Sequence, residues 1–177
     1  MSTLFVNNLN TASGSTITIP TGKTLVGTDE GSFRVPGTIL QVVQAQSSSS
    51  TSFSSGSYSD LISQAITPKS TSSKIKITFN GVYYANHTGS SVNNRFRVVR
   101  DGSGLSDYNG SQDSGTAQYL QYRTSAVNNH IPVPAGFTWI HAPNTTSSTT
   151  FKIQCRADTG QFQFYGGAFL ILEEIAQ

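Results

Sequence analysis

The sequence has few charged side chains and a single cysteine. Only 11% of its 177 residues are charged, compared with about a quarter in an average soluble domain. Hydroxyl and amide groups must therefore keep the protein in solution. The formal charge of +2 is too small to argue for nucleic-acid binding. With Cys155 alone, no intrachain disulfide forms, and its place on the apolar phase of its segment predicts a buried, unreactive thiol.

The N-terminal residues contain neither a basic stretch nor a long apolar run. We therefore predict no signal peptide, no transmembrane segment and no membrane insertion. Synthesis in a cytoplasm is expected, with release by lysis or as part of a particle. A polar, weakly charged composition is common in extracellular, bacterial-surface and virion proteins. Aromatic residues make up 10% of the chain, which favours a packed core over a disordered chain.

What the sequence does contain is strict alternation of polar and apolar residues. It occurs in residues 74–79, 95–98, 151–156 and 161–164. Side chains in a strand point alternately to opposite faces, so a period of two indicates half-buried strands. Ser, Thr, Asn and Gly fill the segments between them. The pattern predicts an all-β fold of roughly eight to ten strands, an antiparallel sandwich of the jelly-roll type.

The chain divides into two predicted parts. Residues 1–36 have too few large apolar side chains to form a core, and we expect an extended attachment segment; a flexible leader is the alternative. Residues 37–177 form the predicted sandwich domain. The apolar side chains of residues 1–36 are expected to contact another subunit or a larger assembly. These side chains are Leu4, Phe5, Val6, Ile17 and Ile19.

Two segments in the C-terminal half indicate a subunit contact and an edge strand. Residues 168–172 are apolar on both faces, so Phe169 and Ile171 are predicted to meet another subunit. Residues 131–136 contain two prolines, which indicate an edge strand or a connector because proline cannot donate to a central ladder.

Two polar segments, residues 47–59 and 101–116, are predicted to be loops on the outer surface. Aromatic rings beside amides and hydroxyls suit carbohydrate or protein surfaces. The alternative is that about half of these rings pack in the core. The candidate receptor-facing residues are Tyr58, Asp107, Tyr108, Asp113, Tyr119 and Trp139.

Four basic residues share the polar phase of two predicted strands: Lys74, Lys76, Arg95 and Arg97. If the two strands are neighbours, these side chains form a basic stripe. Such a stripe would meet an acidic glycan, a lipopolysaccharide phosphate or an adjacent subunit. A plain solvated face is the alternative interpretation.

The sequence contains no recognisable catalytic arrangement, and we predict a protein that is not an enzyme and has no cofactor. Nucleophile-elbow, Walker and zinc-protease motifs are absent. The carboxylate pair Glu173 and Glu174 would point to opposite faces of a strand, which indicates a solvated strand end. The histidines His87, His130 and His141 lie far apart and are interpreted as loop residues. If one of these histidines lay on the axis of a trimer, its three copies would come together and would hold a metal.

Several blocks of this sequence resemble virion-associated proteins of marine tailed bacteriophages. They are residues 2–9 (STLFVNNL), 37–44 (GTILQVVQ), 66–75 (ITPKSTSSKI), 144–156 (NTTSSTTFKIQCR) and 170–176 (LILEEIA). Such proteins are usually tail fibres or virion structural proteins, with distal domains similar to the trimeric tumour-necrosis-factor sandwich. The resemblance implies a homotrimer on a particle surface. This chain has no repetitive shaft, which favours a short spike, an adaptor or a decoration protein as much as a long fibre.

Together these observations predict a virion protein made in a bacterial host. Residues 1–36 would attach to other virion proteins, and the trimeric sandwich would bind a glycan or protein on the host surface. One alternative is a capsid decoration protein that braces the head. Another is a free carbohydrate-binding module or lectin.

Overall fold

The protein is built from β-strands throughout the part of the chain that the structure describes. The computed structural model describes residues 19–24, 26, 35–54, 56–86, 92–105, 111–112, 118–124, 131–158 and 160–177. These residues form two antiparallel sheets, which confirms the predicted all-β sandwich. Within these residues no helix is long and apolar enough to cross a membrane. Most of the predicted attachment segment lies outside the described residues.

The strands are β1 (Ile39–Gln46), β2 (Thr51–Ser54), β3 (Ser59–Ile66), β4 (Lys74–Asn86), β5 (Val92–Arg100), β6 (Ser103–Gly104), β7 (Ser111–Gln112), β8 (Gln118–Thr124), β9 (Ile131–His141), β10 (Thr149–Ala157), β11 (Gln161–Phe164) and β12 (Phe169–Ile175). Eight of the strands have seven residues or more, and the other four have two to four.

The long strands follow jelly-roll order. The first sheet runs β1-β12-β4-β9, and the short pair β11 and β2 continues beside the far half of β4. The second sheet runs β3-β10-β5-β8-β7, with β6 beside the end of β5. Among the eight long strands the first therefore pairs with the last, the second with the seventh, the third with the sixth and the fourth with the fifth. This nested pairing is that of one long hairpin wrapped into two sheets.

Alternation along each strand divides its side chains between the core and the outside. β10 shows this most regularly: Phe151, Ile153 and Cys155 are fully buried, while Lys152 and Gln154 between them are partly exposed. The predicted burial of Cys155 is confirmed. Burial raises the pKa of its thiol, because the charged thiolate is disfavoured away from water.

Aromatic rings from both sheets interlock at the centre of the sandwich. Phe96 of the second sheet lies among four rings of the first. Its ring centroid is 6.3 Å from Phe79, 5.7 Å from Tyr83, 5.7 Å from Phe162 and 6.2 Å from Phe164. All five side chains are fully buried, and tilted or edge-on ring pairs at these separations are favourable.

The serine-rich tract over residues 47–59 is not entirely a loop. Thr51–Ser54 forms β2, which pairs with β11. Phe53 is buried, and its ring stacks on Phe162 with a centroid separation of 5.1 Å. The loop prediction is wrong here because one large ring gives this polar segment enough apolar area to join the core.

The prolines of residues 131–136 occupy an edge strand, as predicted. β9 pairs with β4 along its whole length and has no second partner among the described strands. Pro132 and Pro134 are exposed and lie opposite Tyr84 and Val82. An edge strand accommodates prolines because its outer N–H groups have no ladder partner.

A buried carboxylate joins three segments at one end of the first sheet. Glu174 is fully buried. It accepts hydrogen bonds from the Gln41 amide (2.6 Å) and from the backbone N–H of Lys69 (2.7 Å). The same Gln41 amide donates to the carbonyl of Thr67 at 2.6 Å. The prediction of a solvated strand end is therefore wrong for Glu174, whereas Glu173 is partly exposed and pairs with a lysine.

Replacing Glu174 with Gln is expected to lower the free energy of unfolding by roughly 1–3 kcal/mol, because an amide N–H would then face a buried donor. The matched control is Glu173→Gln, which removes a partly exposed ion pair and is expected to cost less than about 1 kcal/mol. Urea unfolding monitored by Trp139 fluorescence measures both. Equal losses in the two variants would contradict the role assigned to the buried carboxylate.

Cys155 provides a direct test of the packed core. Because the thiol is buried and its pKa is raised, Ellman's reagent at mildly alkaline pH is expected to leave the folded protein unmodified over the time in which the urea-unfolded chain reacts fully. The unfolded chain serves as the control, since it contains the same single thiol. Equally rapid reaction of the folded protein would show that the core opens readily.

Candidate functional surfaces

The outer side of the first sheet exposes several large apolar side chains. Val42, Val82, Ile140, Tyr165 and Phe169 are each between 39% and 55% exposed. The strand register aligns Val42, Glu173, Lys76 and Ile140 in one row across β1, β12, β4 and β9. We call this surface the apolar face and define it by the outward residues of these four strands together with Tyr165.

Few charges interrupt the apolar face. Among its described residues they are Lys74 at one end and the pair Lys76 and Glu173, whose Nζ and Oε2 atoms are 2.6 Å apart. The next row brings together Gln44, Ile171, Thr78 and Thr138, and the one after it Gln46, Phe169, Asn80 and Gly136. Uncharged polar side chains therefore lie among the apolar ones. Apolar area of this kind in a folded domain commonly marks a protein contact.

The residues predicted for assembly lie partly on this face. Leu170 and Leu172 are fully buried, so Phe169 and Ile171 point outward, as the two-faced pattern of the last strand predicted. Ile19 is exposed. The other predicted contacts, Leu4, Phe5, Val6 and Ile17, lie outside the described residues.

The outer side of the second sheet is charged instead. In its first cluster, Asp60 on β3 accepts hydrogen bonds from Lys152 Nζ and Gln154 Nε2, both at 2.6 Å. Arg97 on β5 donates through Nε to Gln154 Oε1 at 2.8 Å. The pKa of Asp60 is lowered, first by the hydrogen bond from Lys152 and then by the one from Gln154.

A second cluster forms two residues further along the same strands. Arg95 and Arg156 lie directly opposite each other on β5 and β10, an arrangement that places like charges together. Asp158 lies between them. It accepts from Arg95 Nε (2.8 Å) and Nη2 (2.7 Å) and from Arg156 Nη2 (3.1 Å).

Tyr58 connects the two clusters. The guanidinium carbon of Arg97 lies 3.9 Å from the centre of its ring, and that of Arg156 lies 4.9 Å away. Cations are attracted to the face of an aromatic ring at these distances. The ring therefore fixes the positions of two guanidinium groups, one from each cluster. We call the two clusters and Tyr58 together the cationic face.

The structure divides the predicted basic stripe between two surfaces. Lys74 and Lys76 are on β4 in the first sheet, whereas Arg95 and Arg97 are on β5 in the second. The condition for one stripe, that the two strands are neighbours, is not met, because the chain crosses between sheets after β4. Arg95 and Arg97 have cationic neighbours that the sequence pattern did not indicate, namely Lys152 and Arg156 on β10.

The predicted receptor-facing residues are also separated. The prediction that Trp139 faces a receptor is wrong. Trp139 lies on β9 opposite the buried Ile77, and its side chain packs against the core. Tyr58 is partly exposed on the cationic face. Tyr119 lies on β8, where the structure describes the backbone alone, and Asp107, Tyr108 and Asp113 lie outside the described residues.

A hydroxyl-rich groove of about 330 Å³ lies where β1 and β3 form one side of the sandwich. Its lining includes Ser47, Ser48, Thr51, Asp60 and Ser63. The serine tract was the sequence signal for a surface here. The shape of the groove depends on β2 joining the first sheet, which the sequence pattern did not predict.

The described residues bring no group of metal ligands together. They contain no cluster of three or more His, Cys, Asp and Glu side chains placed to hold a metal ion. His141 ends β9 and is buried, with Nε2 at 3.2 Å from Arg100 Nη1 and its ring edge-on to Phe151 at 5.9 Å. The interpretation of His141 as a loop residue is therefore wrong; His87 and His130 lie outside the described residues.

No protein-family model matches this chain, and no curated protein matches it.

Replacing Asp60 with Asn is expected to destabilise the protein at neutral pH and to have no effect in acid. The pKa of Asp60 is lower in the folded than in the unfolded protein. The ionised side chain therefore adds to the free energy of unfolding above the unfolded pKa, and this contribution is lost as pH falls through the folded pKa. Because 44% of the side chain is exposed, water screens the pair, and the loss is at most about 1 kcal/mol. Urea unfolding of both proteins, from neutral pH down to strong acid, measures it. A difference that does not change with pH would contradict this assignment.

Proposed function

We propose that this protein is a non-enzymatic structural protein of a tailed-phage particle, of the tail-fibre or spike type. In this proposal residues 1–36 attach the chain to other virion proteins, and three copies of the sandwich domain assemble. The assembled domains then contact the host surface. Two kinds of observation support this proposal: the sequence blocks that resemble marine phage virion proteins, and the jelly-roll sandwich they imply.

The observation that carries the proposal is the difference between the two outer faces. The apolar face exposes Val42, Ile140 and Phe169, and the cationic face carries arginine and lysine side chains held by two carboxylates. An apolar sheet surface is stabilised when a second protein surface covers it. Assembly through this face leaves the opposite sheet directed outward, where it is available to a host molecule.

A copy of the same chain is the partner that best fits the apolar face. The face is close to neutral, because Lys76 pairs with Glu173 and Lys74 lies at one end. Three identical faces therefore meet around a threefold axis without net repulsion, whereas cationic faces would repel one another. Closed symmetry with a small number of copies is the usual result of such contacts.

The mass of the full chain in solution tests the assembly. Light scattering is expected to give three times the 18.9 kDa chain mass. Ile140→Asp, which places a charge on the exposed part of the apolar face, is expected to give monomers. The matched control, Ser63→Asp, places the same charge on the exposed outer side of β3 and is expected to leave the mass unchanged. A monomeric wild-type protein at micromolar concentration would contradict the proposal.

Gold-labelled antibody against the folded domain, applied to intact phage particles in the electron microscope, tests the location. Label at the tail is the expected result. Label over the head would instead favour the capsid decoration protein, which needs no host contact. Particles without label would contradict a virion role and would leave a free carbohydrate-binding module as the better interpretation.

A further inference from the structure

The cationic face carries more positive than negative charge. In the first cluster Lys152 donates directly to Asp60, and Arg97 is linked to the same carboxylate through Gln154. In the second cluster Arg95 and Arg156 both donate to Asp158. The described residues of this face thus contribute four positive and two negative charges. One carboxylate, that of Asp158, is shared between the guanidinium groups of Arg95 and Arg156. A further anion bound between the clusters would therefore lower the repulsion among the positive side chains.

The geometry of this face is fixed before any ligand arrives. Arg95 and Arg156 are about four-fifths inaccessible to water, and each is held by Asp158. Arg97 is held by Gln154 and by the ring of Tyr58. Guanidinium groups bind carboxylate and phosphate oxygens in pairs. Side chains that are already ordered lose less entropy on binding, so a preformed array of this kind favours affinity.

We infer that the cationic face binds an acidic polysaccharide, one whose sugar units carry carboxylate or phosphate groups. The anionic groups lie against Arg97 and Arg156, while sugar hydroxyls donate to Asp60 and accept from Gln154. The alternation of carboxylates and cations favours a polysaccharide over a nucleic acid, because the two aspartates repel a continuous phosphate backbone.

This inference rests on the proposed function for its biological setting, since a phage attachment protein meets bacterial surface polysaccharide. Its chemistry depends on the face alone. A protein that proved to be monomeric, or absent from the particle, would still bind the polymer through this face, so the two ideas fail separately.

Binding of the full chain to three dextrans of equal length tests the inference: carboxymethyl-dextran, dextran phosphate and unmodified dextran. Immobilised polymer and biolayer interferometry report the affinities. The wild-type protein is expected to bind at least one of the acidic dextrans and not the neutral one, with affinity falling as salt rises. Absence of binding to both acidic polymers, or equal binding to all three, would overturn the inference.

Variants with equal loss of charge locate the site. Arg97→Gln with Arg156→Gln is expected to weaken binding at least tenfold. The matched control, Lys74→Gln with Lys76→Gln, removes two positive charges from the opposite sheet. Because both lysines lie on the apolar face, light scattering first shows that the control keeps the wild-type mass. Its binding is then expected to stay within about twofold, since packed sheets are about 10 Å apart and surface charges are screened over roughly 8–10 Å. Equal losses in both double variants would show attraction by net charge alone and would overturn the site.

Three further measurements test the role of the aromatic ring, the folding of the variants and the preference over nucleic acid. Tyr58→Leu keeps every charge but removes the ring between the guanidinium groups, and it is expected to weaken binding to an intermediate degree. Thermal unfolding of each variant shows that the compared proteins are folded at the assay temperature. A single-stranded thymidine oligonucleotide that bound as tightly as the best acidic dextran would overturn the polysaccharide assignment in favour of nucleic acid.

Discussion

The structure depends on the contact of Phe96 with four rings of the opposite sheet. This residue is the second sheet's member of a cluster formed by Phe79, Tyr83, Phe162 and Phe164. A close-packed interior does not tolerate small changes in volume, so the cluster fixes the spacing and relative rotation of the two sheets. Since strands alternate, fixing the inner side also determines which residues form each outer face. The apolar face and the cationic face are therefore consequences of one core arrangement.

The two faces stabilise the protein by different means. The apolar face leaves hydrophobic area in contact with water, and its free energy improves when another surface covers it. The cationic face already satisfies much of its electrostatics internally, because Asp60 and Asp158 each hold two partners. A surface of this second kind gains from a ligand that supplies negative charge. A chain with only 11% charged residues thus concentrates several of them on the outer side of one sheet.

Alternation in the sequence was enough to predict the most regular strands and their buried side, as in residues 149–157. It missed β2, and it did not prevent Trp139 from being assigned to the outer surface. It did not predict which strands share a sheet. Arg97 and Lys76 have the same phase on consecutive strands, yet the jelly-roll crossover places them in different sheets. The burial of Glu174 was also beyond prediction, because its partner Gln41 is 133 residues away in the chain. Residue pattern describes local structure, whereas charge clusters and buried carboxylates depend on long-range register.

The prolines of β9 restrict how copies of this protein can grow into larger structures. A sheet edge with regular N–H groups is a template on which further strands add without limit, and the result is a fibril. Pro132 and Pro134 remove two donors from that edge of the first sheet. Polymerisation by extending this sheet is therefore disfavoured on the β9 side, while stacking of outer faces is not affected. The edge prolines therefore act against amyloid-like growth at this edge of the sheet.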